Sequence, residues 1–194
     1  MNDKNIETPP SFTTIQKASK EIKFSMPSDL QTGSLLRTLV TSKPNGNFLE
    51  LGTGTGLSLS WIVEAMDNHS KVISIDNSET YLTIARKHFG ADSRVTIICE
   101  EGTNWIKNNQ DSKFDLIFAD AWPGKYESLD DTLALLKNGG FYIIDDMLHQ
   151  PNWPDGHQGN VDNLVAYLDT KTDLKLTKMN WSTGLIIVAK MYCA

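Results

Sequence analysis

Short apolar runs alternate along this chain with segments whose apolar residues recur at helical spacing. The apolar runs predict strands at 48–51, 72–76, 95–98, 114–119 and 141–144. The segments between them predict helices; in 78–89, for example, the apolar residues stand three or four positions apart. Two last runs, 174–179 and 185–190, are joined by a short segment that contains Gly184, and they predict a hairpin.

Two helix boundaries carry local signals. Ser28 followed by Gln31 predicts a capping box at the start of a helix, because such a pair can satisfy backbone N–H groups that the first turn leaves free. Asn138-Gly139-Gly140 predicts the end of a helix that runs from Leu129 to Leu136.

The alternation of strands and helices predicts an α/β fold with a mostly parallel sheet, because βαβ units join parallel strands through right-handed crossovers. The strand runs are nearly continuously apolar, as in a Rossmann-like sheet that helices cover on both faces. The terminal hairpin requires one antiparallel strand and completes a seven-stranded sheet. Residues 1–25 show no clear period, so we expect a loose N-terminal arm there and a single domain over 26–194.

A glycine-rich loop follows the first predicted strand, at the edge where sheets of this kind bind ligands. Its sequence is Glu50-Leu51-Gly52-Thr53-Gly54-Thr55-Gly56-Leu57-Ser58, and a helix comes next. Glycines let the backbone turn tightly and approach a ligand, and the helix N-terminus offers free N–H groups with a partial positive charge. The loop therefore suits a carboxylate or a phosphate of a bound molecule.

Acidic residues follow the next two strands. Asp76 ends the second strand, where a carboxylate can accept two hydrogen bonds from a ribose diol. Asp76 or Asn77 can instead cap the helix that follows. After the third strand, Glu101 can accept a hydrogen bond from an adenine amino group, or it can lie solvated at the surface. The loop and Asp76 together favour a cofactor that contains a nucleoside.

Two such cofactors fit these features, a dinucleotide and S-adenosylmethionine. The loop has the spacing GxGxG with an acid two residues before it, whereas the dinucleotide fingerprint is GxGxxG. The expected ligand side is also acidic, which suits a sulfonium cation better than a pyrophosphate. Its acidic residues are Glu50, Asp76, Glu101, Asp120, Asp145 and Asp146. Both observations favour S-adenosylmethionine.

Five segments, taken in order, resemble the motifs of class I S-adenosylmethionine-dependent methyltransferases. They are FLELGTGTGLS, VISID, CEEGTNWI, FDLIFADAWPGKY and GGFYIIDD. The nearest branch is that of the small O-methyltransferases, similar to the catechol and caffeoyl-CoA enzymes, and the motif-bearing region is 26–152. The resemblance implies the strand order 3-2-1-4-5-7-6 with strand 7 antiparallel, in agreement with the predicted hairpin.

The resemblance also implies where each part of the cofactor lies. The methionine moiety is expected beside the glycine loop, and the ribose on Asp76. The adenine is expected near Glu101 and near Trp122, whose indole can stack on a base. The full set of expected cofactor-binding residues is Glu50, Gly52, Thr53, Gly54, Gly56, Ser58, Asp76, Asn77, Glu101, Gly102, Asp120 and Trp122.

Metal-dependent members of this branch coordinate a vicinal diol to Mg²⁺ or a similar ion, which lowers the pKa of the acceptor hydroxyl. Their ligands match Asp120, Asp145 and Asp146, although Asp146 stands where the pattern has asparagine. The lysine base of the catechol enzymes is replaced by Pro123, and a lysine, Lys125, comes two residues later.

Other side chains can accept the proton of the methyl acceptor. We expect Asp120 and His149 to be the catalytic residues; His149 closely follows the acidic pair, and a neutral imidazole is the usual acid–base group near pH 7. His157 is a further candidate, in an aromatic stretch rich in Pro and Gly, 151–157, that can form a lid.

Composition narrows the class of partner. The 194 residues carry a net charge of −6, which argues against general nucleic-acid binding. The longest apolar run, 185–189, is far too short to span a membrane, and the first residues lack the apolar centre of a secretory signal. Two cysteines make no disulfide framework. We expect a cytoplasmic protein with a small-molecule partner, no nucleic acid and no membrane. Its N-terminal arm can pack over the site or against a second subunit in a homodimer.

These observations predict an S-adenosylmethionine-dependent methyltransferase that acts on an oxygen atom of a small molecule. A divalent cation is a candidate cofactor that can assist the reaction. One alternative methylates nitrogen or a protein side chain. The Asn/Asp-Pro-Pro-Tyr block of many amino-group methyltransferases is absent, and Asp120-Ala121-Trp122-Pro123 stands in its place, which counts against methylation of DNA adenine or glutamine. Another alternative is a module that binds the cofactor without turnover, for which the acidic residues beside the methyl site are unnecessary.

Overall fold

The strand order confirms the predicted fold class. The computed structural model describes residues 3, 5–150 and 153–192. Its strands are β1 (Asn47–Leu51), β2 (Lys71–Asp76), β3 (Val95–Cys99), β4 (Phe114–Ala119), β5 (Leu136–Ile144), β6 (Leu174–Met179) and β7 (Leu185–Lys190). They form one sheet in the order β3-β2-β1-β4-β5-β7-β6. Strands β1 to β5 pair in parallel, whereas β7 is antiparallel to both β5 and β6.

Helices cover both faces of this sheet. In the described ranges they are α1 (Phe12–Glu21), α2 (Leu30–Thr41), α3 (Leu57–Ala65), α4 (Glu79–Phe89), α5 (Gly102–Asn108), α6 (Trp122–Lys125), α7 (Leu129–Leu135) and α8 (His157–Asp169). Phe48 of β1 belongs to a core cluster with α1, α2 and α3, whereas its neighbour Leu49 belongs to a cluster with α5, α7 and α8. Successive side chains of a strand point to opposite faces, so one strand supports both cores.

The strand order reverses at β1, which lies between β2 and β4. Backbone hydrogen bonds hold the strand ends together at this point. The Gly52 N–H donates to the Ile75 carbonyl at 2.9 Å, and the Asp120 N–H donates to the Leu51 carbonyl at 2.9 Å. A crevice outside the carboxyl ends of the strands at such a reversal is where parallel sheets bind ligands.

The N-terminal segment differs from the loose arm expected over 1–25. It contains α1, whose Phe12 and Ile15 are buried in the core cluster shared with α2 and α3. The rings of Phe12 and Trp61 meet edge to face with their centroids 5.8 Å apart. Phe12 and Ile15 are surrounded by polar residues, so the sequence shows no clear helical period there. The helix nevertheless packs on the domain. Residues 1, 2 and 4 lie outside the described part of the chain.

The predicted capping box at Ser28 is wrong. Asp29 caps α2, because its carboxylate accepts a hydrogen bond from the Thr32 N–H at 2.9 Å. The Ser28 hydroxyl instead donates to Oδ2 of Asp120 at 2.9 Å. Ser28 therefore does not cap the helix. It forms a long-range contact with the residue that follows β4.

The helix predicted to run to Leu136 ends one residue earlier, at the last residue of α7. Leu136 pairs with Phe114 of β4 and begins β5, well before the predicted start of this strand. The register shifts between Phe114 and Leu116, and Gly139 has a φ of 75°. The glycines therefore interrupt the strand and do not precede it.

No helix in the described ranges is long and apolar enough to cross a membrane. Cys99 is an exposed free thiol, and the other cysteine, Cys193, lies outside the described residues.

Candidate functional site

A cavity of about 710 Å³ opens at the carboxyl ends of β1, β2, β4 and β5. Its wall has two parts. The loop half is formed by segments 51–58, 75–77 and 100–102, and the acidic half by segments 120–127, 145–146 and 153–157. Ten of the twelve residues expected to bind the cofactor line this cavity. The other two, Glu50 and Gly56, do not line it, and Glu50 is buried beneath the loop.

Two glycines of the loop are required by the backbone around them. Gly52 has a φ of 101°, and a Cβ at this position would stand 2.6 Å from the carbonyl oxygen of Asp120. Gly54 has a φ of 51°, and a Cβ there would stand 2.8 Å from the ring of Phe24. A larger residue would be strained at both positions and would clash with the backbone at Gly52, so glycine lets the loop pass close to the end of β4.

Asp76 shapes the loop half from the end of β2. One carboxylate oxygen accepts a hydrogen bond from the Gly54 N–H, and the other accepts one from the Ser78 N–H, both at 2.8 Å. The second bond is the helix-start role considered as an alternative in the sequence. Each oxygen has a further lone pair, and Asp76 lines the cavity, so the carboxylate can still accept from a bound diol.

Glu50 is fully buried beneath the loop. Its Oε2 accepts a hydrogen bond from the Ser74 hydroxyl, and its Oε1 has no partner in the described part of the chain. Burial raises the pKa of Glu50 to about 7, although the nearby hydroxyls of Ser58 and Ser74 oppose the rise, and the negative charge of Asp76 adds to it. The sequence predicted a cofactor contact at Glu50, whereas the structure places this side chain in a supporting position.

The outer end of the loop half connects β2, β3 and β4. The Asn77 side-chain amide donates to Glu101 at 3.0 Å. Gly102 packs closely on Pro123, since a Cβ at Gly102 would stand 2.8 Å from the Cβ of that proline. Trp122 is 47% exposed, so one part of its indole is available to a ligand in the cavity.

The acidic half contains a buried lysine. Lys125 is 5% exposed, its Nζ donates to the Asp145 carbonyl at 2.8 Å, and the same nitrogen lies 3.8 Å from Oδ1 of Asp120. Burial raises the pKa of Asp120 well above its ordinary value, and the charge of Asp145 adds to the rise, while Lys125 opposes it. The ammonium is therefore the partner of Asp120 inside the cavity wall.

Asp145 and Asp146 follow β5 and point to different surroundings. The buried carboxylate of Asp145 accepts hydrogen bonds from the Thr183 hydroxyl and from the Asp146 N–H. Burial raises the pKa of Asp145 to about 6. Asp146 has a φ of 56°, lines the cavity, and forms no side-chain hydrogen bond or ion pair within the described residues.

These three carboxylates do not fit the metal site that the resemblance implies. Within the described ranges, no three or more side chains of His, Cys, Asp or Glu are placed to hold a metal ion together. The oxygens of Asp120 face Ser28 and Lys125, and Oδ1 of Asp145 already accepts hydrogen bonds from two protein donors. A hard divalent cation needs several converging oxygen ligands, which this arrangement does not offer.

Aromatic rings and one histidine close the acidic half. The ring centroid of His157 lies 5.6 Å from that of Trp122, 5.2 Å from that of Tyr126 and 4.4 Å from that of Trp153. The Nε2 of His157 lies 3.2 Å from the hydroxyl of Tyr126, and its buried Nδ1 has no partner in the described part of the chain. Burial lowers the pKa of His157, which favours a neutral imidazole near pH 7.

His149 does not occupy the position expected for a catalytic residue. Its side chain is exposed, stacks at a tilt on Trp153 with the centroids 5.6 Å apart, and does not line the cavity. The chain turns away there because the N–H groups of Met147 and Leu148 bond to the hairpin carbonyls of Gly184 and Thr183. Of these two histidines, only His157 reaches the cavity wall. Pro151 and Asn152 of the expected lid lie outside the described residues.

The N-terminal segment takes one of the two positions that the sequence left open for it, since it packs over the cavity. Residues 24–28 line it, and the ring of Phe24 meets that of Tyr81 edge to face at 4.9 Å. The hydroxyl of Ser19 on α1 donates to that of Thr55 at 2.8 Å. These contacts join residues far apart in sequence, and no local pattern marks them.

Comparisons with known proteins agree with this geometry. A family model described as "Methyltransferase domain" matches residues 49–147, slightly more than half of the chain. A curated relative from Mycobacterium tuberculosis, named as an O-methyltransferase, is 27% identical over 117 residues, which are 58% of this chain and 52% of the relative. The chain therefore spans about half the length of the curated relatives it matches.

Solved structures of methyltransferases have the same fold. The O-methyltransferase TomG from Streptomyces achromogenes, in complex with S-adenosylmethionine, superposes with a TM-score of 0.83 at 18% identity over 97% of this chain and 93% of that one. An O-methyltransferase from Bacillus cereus, in complex with S-adenosylhomocysteine, gives 0.83 at 18% identity over 97% and 94%. The chain belongs to the methyltransferase-domain family, as the resemblance in the sequence predicted.

Proposed function

We propose that this protein transfers the methyl group of S-adenosylmethionine to an oxygen atom of a small molecule. The observation that carries this proposal is one continuous cavity in which a glycine loop and Asp76 meet an acidic and aromatic wall. The O-methyltransferase names of the relatives and the cofactors of the superposed structures support it. The two alternatives, transfer to nitrogen and binding without turnover, have no such support.

The loop half is the proposed cofactor site. The carboxylate of the cofactor's methionine moiety lies at the N-terminus of α3, where Leu57 and Ser58 line the cavity. The ribose hydroxyls donate to Asp76, and the adenine lies between Glu101 and the exposed part of Trp122. Glu50, beneath the loop, holds the backbone that makes these contacts through its hydrogen bond with Ser74.

The acidic half is the proposed acceptor site. A sulfonium is already an excellent leaving group, so the protein must align the acceptor oxygen with the methyl group and take up its proton. Asp120 lies at the end of β4, beside Gly52 of the loop, and thus at the junction of the two halves. His157 is neutral near pH 7 and is held against Tyr126, so this pair can accept the proton of the acceptor hydroxyl.

The divalent cation implied by the resemblance is not part of this mechanism, because the three carboxylates do not converge on a common point. A small-molecule acceptor agrees with a cavity of about 710 Å³. Formation of a homodimer and the absence of a nucleic-acid partner stay predictions.

A turnover screen with methyl-labelled S-adenosylmethionine tests the proposed function. Catechols, simple phenols, aliphatic alcohols and amines are incubated separately with the protein, and label transfer is measured by product extraction. We expect transfer to at least one hydroxyl compound and none to the matched methyl ether, in which the hydroxyl is blocked. Transfer only to amines would contradict the choice of oxygen, and a protein that fails to bind the cofactor would contradict the proposal as a whole.

A further inference from the structure

Lys125 is held in place by the core of the fold. It follows Gly124, which has a φ of 87° and packs so closely on Leu51 that a Cβ would stand 2.6 Å from the Cδ1 of that residue. The carbonyl of Gly124 accepts a hydrogen bond from the hydroxyl of Tyr142, a fully buried residue of β5. The backbone that carries Lys125 is thus fixed to both β1 and β5, so the position of the ammonium is a property of the fold.

The ammonium also satisfies an electrostatic need of the cavity wall. Asp145 is buried, the partly buried Asp120 lies close to it, and Asp146 adds a third carboxylate beside them. Buried carboxylates of the same sign repel one another and lose their hydration, so they need a cation in contact. The Nζ of Lys125 fills this need from within the chain, because it contacts the Asp145 backbone and faces Oδ1 of Asp120.

We propose that the Lys125 ammonium is the built-in cation of this acidic cluster and takes the place that a divalent ion has in metal-dependent methyltransferases. It neutralises Asp120, fixes the orientation of that carboxylate toward the acceptor, and repels a second cation from the same oxygens. Methyl transfer then requires no divalent ion. Lys125 is a positioning residue, since its Nζ contacts the Asp145 carbonyl and Oδ1 of Asp120 and acts on the acceptor through that carboxylate. The inference rests on the proposed function for the acceptor, but its statement about cations can be tested without any acceptor.

Binding of Mn²⁺, followed by the electron paramagnetic resonance of the free ion, tests this inference. We expect no binding to the wild-type protein below millimolar concentration, and turnover in EDTA within about twofold of that in Mg²⁺. Lys125→Met should bind Mn²⁺ at least about tenfold more tightly than the wild type, because removal of the ammonium leaves an acidic cluster without a cation. Lys137→Met is the matched control: Lys137 pairs with Asp115 outside the cavity at 2.7 Å, and its loss should change neither readout.

A second variant covers the case in which Lys125→Met fails to fold. Asp120→Asn with Lys125→Met removes one charge of each sign, so we expect it to fold, to bind S-adenosylhomocysteine within about threefold of the wild type, and to lose at least about tenfold in methyl transfer. Wild-type transfer rates in this variant would overturn the positioning role. Micromolar Mn²⁺ binding to the wild type, or loss of its turnover in EDTA, would overturn the inference. A wild-type protein that does not bind S-adenosylhomocysteine would contradict the proposed function instead and leave the Mn²⁺ result to decide about Lys125.

Discussion

The loop half and the acidic half of the cavity differ in what gives them their shape. In the loop half, backbone conformation dominates: positive φ angles at Gly52 and Gly54 and hydrogen bonds from backbone N–H groups to Asp76. In the acidic half, side-chain charges and rings from three separate segments converge. We infer that the rigid backbone of the loop half binds the cofactor, whereas the side chains of the acidic half contact the acceptor.

The largest effect is expected from a substitution that breaks the loop half. Gly52→Ala should lower the free energy of unfolding by about 3 kcal/mol and abolish cofactor binding, because the new Cβ is strained at a φ of 101° and clashes with the Asp120 carbonyl. Urea unfolding measures the first effect. Gly156→Ala is the matched control, since Gly156 has a φ of 82° but nothing within 4 Å of a Cβ. It should cost only about 1 kcal/mol, and equal losses in both variants would contradict the close approach at Gly52.

A smaller effect is expected from the charge beneath the loop. Glu50 has an ordinary pKa of 4.5 in the unfolded chain and a pKa of about 7 in the folded protein. Folding therefore takes up a proton between these values, and the free energy of unfolding falls as the pH rises through this window. Between pH 5 and pH 8, the free energy of unfolding of the wild type should therefore fall by about 2 kcal/mol more than that of Glu50→Gln. Unfolding curves with the same pH dependence in both proteins would show that Glu50 titrates normally.

Substitutions in the acidic half should lower turnover and leave the affinity for the cofactor unchanged. His157→Gln is expected to lower kcat about tenfold, since it removes the proton acceptor beside Tyr126, while the affinity for S-adenosylhomocysteine stays within about twofold. His149→Gln is the matched control and should leave both quantities unchanged, because this side chain lies outside the cavity. A loss of cofactor affinity in His157→Gln would mean that the two halves do not act separately.

The same contrast explains how much of the molecule the sequence predicts. The strands, their order and the loop half follow from contiguous residues: apolar runs set the sheet, and Gly52 to Gly56 with Asp76 set the loop. Strand-end motifs also predict members of the acidic half, such as Asp120 and Asp145, but not its contacts, because burial of Lys125 and the contact of Ser28 with Asp120 depend on segments that only the fold brings together. Ser28 resembles a helix cap and His149 a catalytic residue for the same reason, since both were judged from neighbours in sequence.

Calorimetric titration with S-adenosylhomocysteine tests the central claim most directly, namely that the loop and Asp76 together bind a nucleoside with an amino-acid tail. We predict one bound molecule per chain in the wild type and at least a tenfold loss of affinity, about 1.4 kcal/mol, in Asp76→Ala. Asp111→Ala, at an exposed aspartate away from the cavity, should bind like the wild type. Undiminished affinity in Asp76→Ala, or no binding to the wild type at all, would contradict the account.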